Sequence, residues 1–196
     1  MATVVVPFRS SDPKRRLDGV AERDRRRLAA AMLADVLEAA EAVGPLFVVA
    51  TQPPELPAGA AHVPDPGRGQ AAAVEAALAA AAAGSPPFLV VNADLPCATA
   101  RDLLALAGAV PVGGLALAPA ADGTTNALAL ADPSLFAPVY GPGSAERFAA
   151  LGDSLRLEAP NLADDVDTLA DLRRLAPRLG RNTRRVLASL RLESAA

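Results

Sequence analysis

The sequence is poor in aromatic and sulfur-containing side chains. Aromatic residues make up 3% of the 196 residues, and tryptophan is absent. The single cysteine, Cys97, excludes an internal disulfide and a cysteine-based zinc site, which is typical of a protein from a reducing compartment. With so few rings, we expect a core built from valine, leucine and alanine, in keeping with a hydrophobic share of 52%.

Long apolar runs and a strong charge bias are also lacking. No apolar run approaches the ~18 residues of a membrane span, and a first predicted strand at residue 3 leaves no room for a signal peptide. We therefore expect a cytoplasmic protein without a membrane partner. The net charge of −3 gives no overall basic character, so a nucleic acid is not an expected partner. The length suits one domain, which we place over residues 1–196.

Short apolar runs alternate with helical patterns along the chain. The runs predict strands at 3–6, 46–51, 60–63, 88–92, 114–119, 126–131 and 154–158, and the helical patterns lie at 24–42, 69–83, 99–107, 143–152, 168–175 and 182–192. Thr99, with Asp102 three residues later, is a predicted N-cap. This alternation favours an α/β fold with a mainly parallel sheet covered on both faces, with 114–131 as a candidate antiparallel pair. Ligands of such a sheet bind at the carboxyl ends of the strands.

A cationic loop, "PFRSSDPKRRL", follows the first predicted strand. Pro7 ends the strand, and Arg9, Lys14, Arg15 and Arg16 follow within ten residues. Lys14 is the only lysine among 19 basic residues. Forked guanidinium donors and a compact ammonium group suit a polyphosphate, although the Gly-x4-Gly-Lys frame of a phosphate loop is absent. A solvated basic loop with one chance lysine is the alternative.

Carboxylates stand at two points where a metal ion could bind. Asp94 follows the strand "FLVVN", and Asp164, Asp165 and Asp167 crowd the segment before the helix that Thr168 opens. Charges so close repel one another unless they share a cation, and Mg²⁺ prefers carboxylate oxygens together with substrate phosphates. We predict an Mg²⁺ site of Asp94 with Asp165, Asp167 or both. The alternative is a turn at Asp94 and ordinary helix capping at 167–168.

Three glycine-containing segments complete the candidate site. Residues 123–126 predict a turn with exposed amides and hydroxyls, and residues 141–144 precede a helix, where backbone amides and the Ser144 hydroxyl could bind an anion. Gly67 and Gly69 would let the backbone approach a base or ribose closely. Ordinary turns and a plain helix entry are the alternatives for these segments.

The order of these motifs resembles a known family. The segments "VPFR", "PKRRL", "AMLADVL", "VVNADLP", "TTNALAL", "YGPGS" and "DVDTLADL" together resemble the CofC/FbiD guanylyltransferases of coenzyme F-420 biosynthesis, over about residues 3–175. The resemblance implies a three-layer α/β/α nucleotidyltransferase fold of the GT-A-like type. It also implies GMP transfer from GTP to a small phosphorylated three-carbon acid, phosphoenolpyruvate in bacterial members and 2-phospho-L-lactate in archaeal ones.

The resemblance also implies roles for individual residues. The nucleotide would contact Pro7, Arg9, Lys14, Arg16, Gly69 and Gln70; Mg²⁺ would be held by Asp94, Asp165 and Asp167; and the acid's phosphate would contact Thr125, Gly141 and Ser144. Within this set, Lys14, Asp94 and Asp167 are the expected catalytic residues.

Some positions depart from the family's pattern. Arg9 stands where the family usually has lysine, and Gln70 is the candidate to replace an asparagine in the segment that follows Gly69. Ala145 and Phe148 stand where Phe and His are usual. Two other functions stay open: a molybdenum-cofactor nucleotidyltransferase, disfavoured by the lack of a glycine-rich first loop, and a non-catalytic nucleotide-binding homologue. A homodimer is also left open.

Overall fold

A seven-stranded sheet forms the centre of the computed structural model, which describes residues 1–9, 17 and 19–190. The strands are β1 (Thr3–Pro7), β2 (Leu46–Ala50), β3 (Ala61–Pro64), β4 (Phe88–Val91), β5 (Leu115–Pro119), β6 (Thr125–Leu130) and β7 (Ser154–Arg156). The helices are α1 (Glu22–Glu41), α2 (Gln70–Ala81), α3 (Ala100–Gly108), α4 (Ser144–Ala149), α5 (Pro160–Ala163), α6 (Leu169–Leu175) and α7 (Arg181–Ser189). Among the described residues, no helix has both the length and the apolar character needed to cross a membrane.

The sheet is mainly parallel, which confirms the predicted fold class. The strand order is β3-β2-β1-β4-β6-β5-β7, and β6 runs antiparallel to its neighbours β4 and β5. The predicted antiparallel pair is therefore confirmed. As a result, the carboxyl ends of β1, β4 and β5 lie at the same edge of the sheet as the amino end of β6, and this edge carries the candidate site.

Both faces of the sheet are covered by helices. Alternate residues of a strand face opposite sides. In β5 and β6, alanines such as Ala116 and Ala129 face α1, α3 and α5, whereas leucines such as Leu117 and Leu128 face α2 and α4. The result is the three-layer α/β/α arrangement that the resemblance implied.

The ends of several elements differ from the predicted ones. The strand predicted at 154–158 pairs with β5 only over Ser154–Arg156, and the helix predicted at 143–152 ends at Ala149. A 3-10 turn at Pro133–Leu135 and the short helix α5 were not predicted, because each begins with a proline in a segment without helical periodicity. The last residues of the helix predicted at 182–192 lie outside the described part of the chain.

The last two helices, α6 and α7, pack beside α1 rather than on the sheet. A third hydrophobic cluster joins α1 residues such as Met32 to Leu172, Leu175 and Leu179. The buried Asp35 of α1 accepts hydrogen bonds from the Asn182 and Thr183 amides, each at 2.9 Å. A side chain on α1 therefore caps α7 across 147 residues of sequence.

Candidate active site

The three aspartates predicted as metal ligands lie together. Each of Asp94, Asp165 and Asp167 offers a carboxylate oxygen, these oxygens lie within 4.8 Å of one another, and all three residues are partly buried. Asp94 comes from the loop after β4, and the other two come from the segment between α5 and α6. The sequence therefore predicted which carboxylates meet at the edge of the sheet where β1, β4 and β5 end.

Backbone contacts hold the two segments against each other. The Val166 amide, which lies between the two aspartates of the second segment, donates to the Asp94 carbonyl at 3.1 Å. The Val166 side chain is fully buried in the third hydrophobic cluster. This burial fixes the backbone positions of Asp165 and Asp167 on either side of it. Thr168 and Asp171 then form a capping box that begins α6, so Thr168 rather than Asp167 caps this helix.

The closeness of these carboxylates affects the pKa of Asp165. Burial raises the pKa of Asp165, and the nearby charges of Asp94 and Asp167 raise it further, while the hydrogen bond from Asn126 lowers it without reversing the shift. A divalent cation would remove this repulsion and would compensate the burial of the charge. Three carboxylate oxygens are also the ligand type that Mg²⁺ prefers, so the residues present fit such an ion.

Asp164, the other acid of this run, takes no part in the cluster. It accepts from Arg174 Nη1 at 2.6 Å and from Arg178 Nη2. Partial burial alone would raise the pKa of Asp164, but hydrogen bonds and charge from the two arginines lower it below its ordinary value. Of these two consecutive aspartates, Asp164 is therefore ion-paired with arginines and Asp165 is a candidate metal ligand.

Asn126 joins β6 to the acidic segment. Its Nδ2 atom donates to the Leu162 carbonyl at 3.0 Å and to the Ala163 carbonyl at 3.3 Å, and it lies 3.4 Å from Asp165 Oδ1. The side chain is 3% exposed. The prediction of an exposed turn at 123–126 is wrong for Thr125 and Asn126, because both residues begin the buried strand β6.

The predicted acid-binding residues also meet. Ser144 Oγ donates to Thr125 Oγ1 at 3.1 Å, and both side chains are buried. Gly141 and Gly143 have φ angles of +107° and +71°, in the region that favours glycine. The Ala145 amide, at the start of α4, donates to the Gly123 carbonyl at 3.2 Å and so ties this loop to the β5–β6 turn.

The nucleotide-binding candidates are only partly brought together. Gln70 begins α2, after Gly69 with φ +94°, and its Nε2 atom donates to Asn92 Oδ1 at 2.9 Å. Asn92 Nδ2 in turn lies 3.3 Å from the Thr125 carbonyl. Pro7 ends β1 at the same edge, and Arg9 follows it with an exposed side chain. Lys14 and Arg16 lie outside the described residues.

Two asparagines therefore connect groups that lie far apart in the sequence. Asn92 links the Gln70 position to Thr125, and Asn126 links β6 to the acidic segment. Neither was assigned a role from the sequence, although each stands next to or near a predicted site residue in "VVNADLP" and "TTNALAL". A polar side chain at the junction of an apolar strand and a loop was the available signal.

Comparison with known proteins defines the class to which this fold and site belong. Residues 22–189 match the family described as MobA-like NTP transferase domain. A crystal structure from Desulfovibrio desulfuricans G20, described as that of a nucleotide-diphospho-sugar transferase, shares the fold with a TM-score of 0.72 and 16% identity, covering 96% of this chain and 95% of that one. The chain thus belongs to the MobA-like NTP transferase family.

Two curated relatives narrow the class further. The chain is 36% identical over 188 residues to the phosphoenolpyruvate guanylyltransferase of Nocardia farcinica, covering 88% of this chain and 83% of the relative. It is 36% identical over 193 residues to the 2-phospho-L-lactate guanylyltransferase of Natrialba magadii, covering 86% and 80%. The chain belongs to the phosphoenolpyruvate/2-phospho-L-lactate guanylyltransferase family. This confirms the resemblance and favours it over a molybdenum-cofactor enzyme.

Proposed function

We propose that this chain transfers GMP from GTP to a small phosphorylated three-carbon acid, with release of pyrophosphate, in coenzyme F-420 biosynthesis. The observation that carries the proposal is the convergence of Asp94, Asp165 and Asp167 within 4.8 Å at the edge of the sheet that also holds the Thr125–Ser144 hydroxyl pair. The guanylyltransferase relatives support the reaction. Because a relative of each name is 36% identical to this chain over most of its length, the choice of acid rests on measurement.

The chemistry requires positioning more than proton transfer. A phosphate oxygen of the acid forms a bond to the α-phosphorus of GTP, and the bond from that phosphorus to the bridging oxygen of the β-phosphate breaks, so pyrophosphate leaves. The attacking phosphate is already ionised near neutral pH, so no general base is needed. This agrees with a candidate site whose described residues include no histidine. In this proposal, Thr125, Gly141 and Ser144 bind the acid's phosphate and orient it. This holds the attacking oxygen close to the α-phosphorus and in line with the bond that breaks.

We further propose that Asp94, Asp165 and Asp167 hold Mg²⁺. When bound, Mg²⁺ would neutralise charge on the phosphates and orient them. Asp94 and Asp167 would act in catalysis with Lys14, while Pro7, Arg9, Lys14, Arg16, Gly69 and Gln70 would contact the nucleotide. We also propose a single domain over residues 1–196, acting in the cytoplasm without nucleic acid or membrane, with a homodimer left open.

A pyrophosphate-release assay tests the proposal. The protein is incubated with GTP and Mg²⁺ and with phosphoenolpyruvate or 2-phospho-L-lactate in separate reactions, and each acid-free reaction is the control. We expect release with at least one acid, and more with GTP than with CTP, which also tests the molybdenum-cofactor alternative. Binding of GTP without release for either acid would instead support a non-catalytic homologue.

The Asp94→Asn variant tests the carboxylate cluster. We expect loss of pyrophosphate release with a nearly unchanged melting temperature, because the Val166 amide bonds the Asp94 backbone carbonyl rather than its side chain. Circular dichroism during heating gives the melting temperature. A large drop in melting temperature would favour a structural role for this side chain.

A further inference from the structure

The guanidinium group of Arg147 lies against the carbonyl groups of the loop at 139–143. Its Nε and Nη2 atoms donate to the Val139 carbonyl at 3.1 and 2.9 Å, Nη2 also donates to the Tyr140 carbonyl at 3.2 Å, and Nη1 donates to the Pro142 carbonyl at 2.7 Å. One side chain of α4 therefore binds three carbonyls of the preceding loop.

This contact fixes the direction of the loop's amides. In a trans peptide unit the carbonyl and the following N–H point to opposite sides, and among the described residues the only cis bond is Pro86–Pro87. The amides that follow the three bonded carbonyls belong to Tyr140, Gly141 and Gly143. They therefore point away from the guanidinium. None of the three donates to an acceptor within the described residues.

The loop thus has two chemically different sides. Carbonyl oxygens converge on the cation of Arg147, and unoccupied N–H donors face the other way, in the segment that leads directly to the buried Ser144. A row of such amides is a suitable binding surface for an anion. Without the cation, three carbonyl dipoles on one side would repel one another, and peptide units flanking Gly141 and Gly143 could rotate at little cost because glycine accepts many φ values.

We propose that Arg147 is a positioning residue for the phosphate of the acid substrate: it holds the loop carbonyls so that the Gly141 and Gly143 amides face that phosphate beside the Thr125 and Ser144 hydroxyls. Arg147 itself does not touch the substrate. The inference rests on the proposed function and adds to it a residue that lies behind the acid-binding loop. A guanidinium suits this role because its forked donors are held in one plane, whereas lysine offers a single point charge.

The variants Arg147→Met and Arg147→Lys test the inference, with Arg156→Gln as the matched control. Arg156 also contacts α4, through an exposed ion pair with Glu146, but it donates to none of the loop carbonyls. For Arg147→Met we expect the KM for the acid to rise by about tenfold or more, the scale of one or two lost charge-assisted hydrogen bonds. The KM for GTP and the melting temperature should change little, and Arg147→Lys should fall between wild type and Arg147→Met.

Calorimetric titration with phosphoenolpyruvate alone gives a second readout. We expect weaker binding to both Arg147 variants and wild-type binding to Arg156→Gln. Equal acid KM and equal phosphoenolpyruvate affinity in Arg147→Met and wild type would overturn the inference, as would an equal rise of both KM values. If the wild type binds the acid but releases no pyrophosphate, while Arg147→Met binds it more weakly, the proposed function fails and the inference stands.

Discussion

At the scale of single residues, two neighbouring aspartates have opposite environments. Asp164 faces Arg174 and Arg178, which lower its pKa, whereas burial and the Asp94 and Asp167 charges raise the pKa of Asp165. The sequence predicted a crowded acidic segment but could not assign its members, because the arginines lie ten and fourteen residues further along the chain. Only the packing of α6 decides which carboxylate is paired and which faces the site.

We predict that Asp165→Asn stabilises the metal-free protein and abolishes its response to Mg²⁺. The amide removes a repelled, partly buried charge, so the melting temperature in EDTA should rise, by roughly 2–4 °C for each 1 kcal/mol of repulsion removed. The wild type should gain stability when Mg²⁺ is added, and the variant should not. Differential scanning fluorimetry in EDTA and in Mg²⁺ measures both effects.

The stability difference between Asp165→Asn and the wild type should depend on pH. Because the folded-state pKa of Asp165 lies above its ordinary value of 3.8, the folded metal-free protein binds this proton more tightly than the unfolded chain does. The free energy of unfolding therefore falls as the pH rises through that window, and the variant lacks this contribution. Its advantage should grow with pH and then level off. Asp164→Asn is the control, and it should be less stable than the wild type yet keep its Mg²⁺ response.

At the scale of elements, α7 depends on a distant cap. Asp35 of α1 is 5% exposed and accepts from both amides at the start of α7 and from Asn182 Nδ2, each at 2.9 Å. Gly180 leaves space for this carboxylate, since a Cβ atom there would lie 2.3 Å from Asp35 Cγ. The caps of α3 and α6 lie within their own segments and could be predicted from spacing, as Thr99 with Asp102 was. The cap of α7 could not, because its partner is remote in sequence.

We predict that Asp35→Ala destabilises the protein by roughly 2–4 kcal/mol, because a buried amide and a partly buried one lose a charged acceptor. Urea unfolding measures the change in free energy. Limited proteolysis should show earlier cleavage near Gly180, since α7 also loses a link to α1.

Thr99→Ala is the matched control for the loss of a cap. It removes the capping box of α3 and should cost about 1 kcal/mol, without exposing α7 to protease. An Asp35→Ala protein as stable as Thr99→Ala, and equally resistant near Gly180, would show that Asp35 is not needed to hold α7.

At the scale of the whole molecule, one hydrophobic cluster connects the acidic segment to two distant parts of the chain. Val166, between two of the candidate ligands, packs in the same buried cluster as Leu17, the last residue of the cationic loop, and as Leu175 of α6. Side chains in such a cluster are closely packed, so a cavity at one position shifts its neighbours. The C-terminal helices therefore support the candidate site without contributing a ligand after Asp167.

We predict that Leu175→Ala lowers both stability and Mg²⁺ affinity. Leu175 is fully buried, and its truncation should cost about 2–5 kcal/mol. Relaxation of the cavity would displace Val166 and spread the carboxylates. Mg²⁺ titration followed by calorimetry, at a temperature where the variant is folded, measures the affinity.

Leu78→Ala is the control for a cavity elsewhere. Leu78 is 3% exposed and packs in the separate cluster between α2 and the sheet. It should cost a similar amount of stability but leave Mg²⁺ affinity close to that of the wild type. An equal loss of affinity in both variants would indicate a general effect of destabilisation rather than support from the third cluster.

The α/β class, the order of the strands and helices, and the three aspartates that meet at one edge of the sheet could be predicted from the sequence alone. Apolar periodicity, capping boxes such as that of Thr99 and the motif order are local signals, and parallel strands bring their carboxyl ends to the same edge. Only the folded chain shows that Thr125 is buried and that Asp164 is ion-paired. It also shows that Asn92 and Asn126 connect neighbouring site segments and that Arg147 binds the carbonyls of the loop before α4. These features depend on contacts between segments far apart in sequence or on the direction of individual peptide units. Neither can be predicted from the periodicity of the sequence.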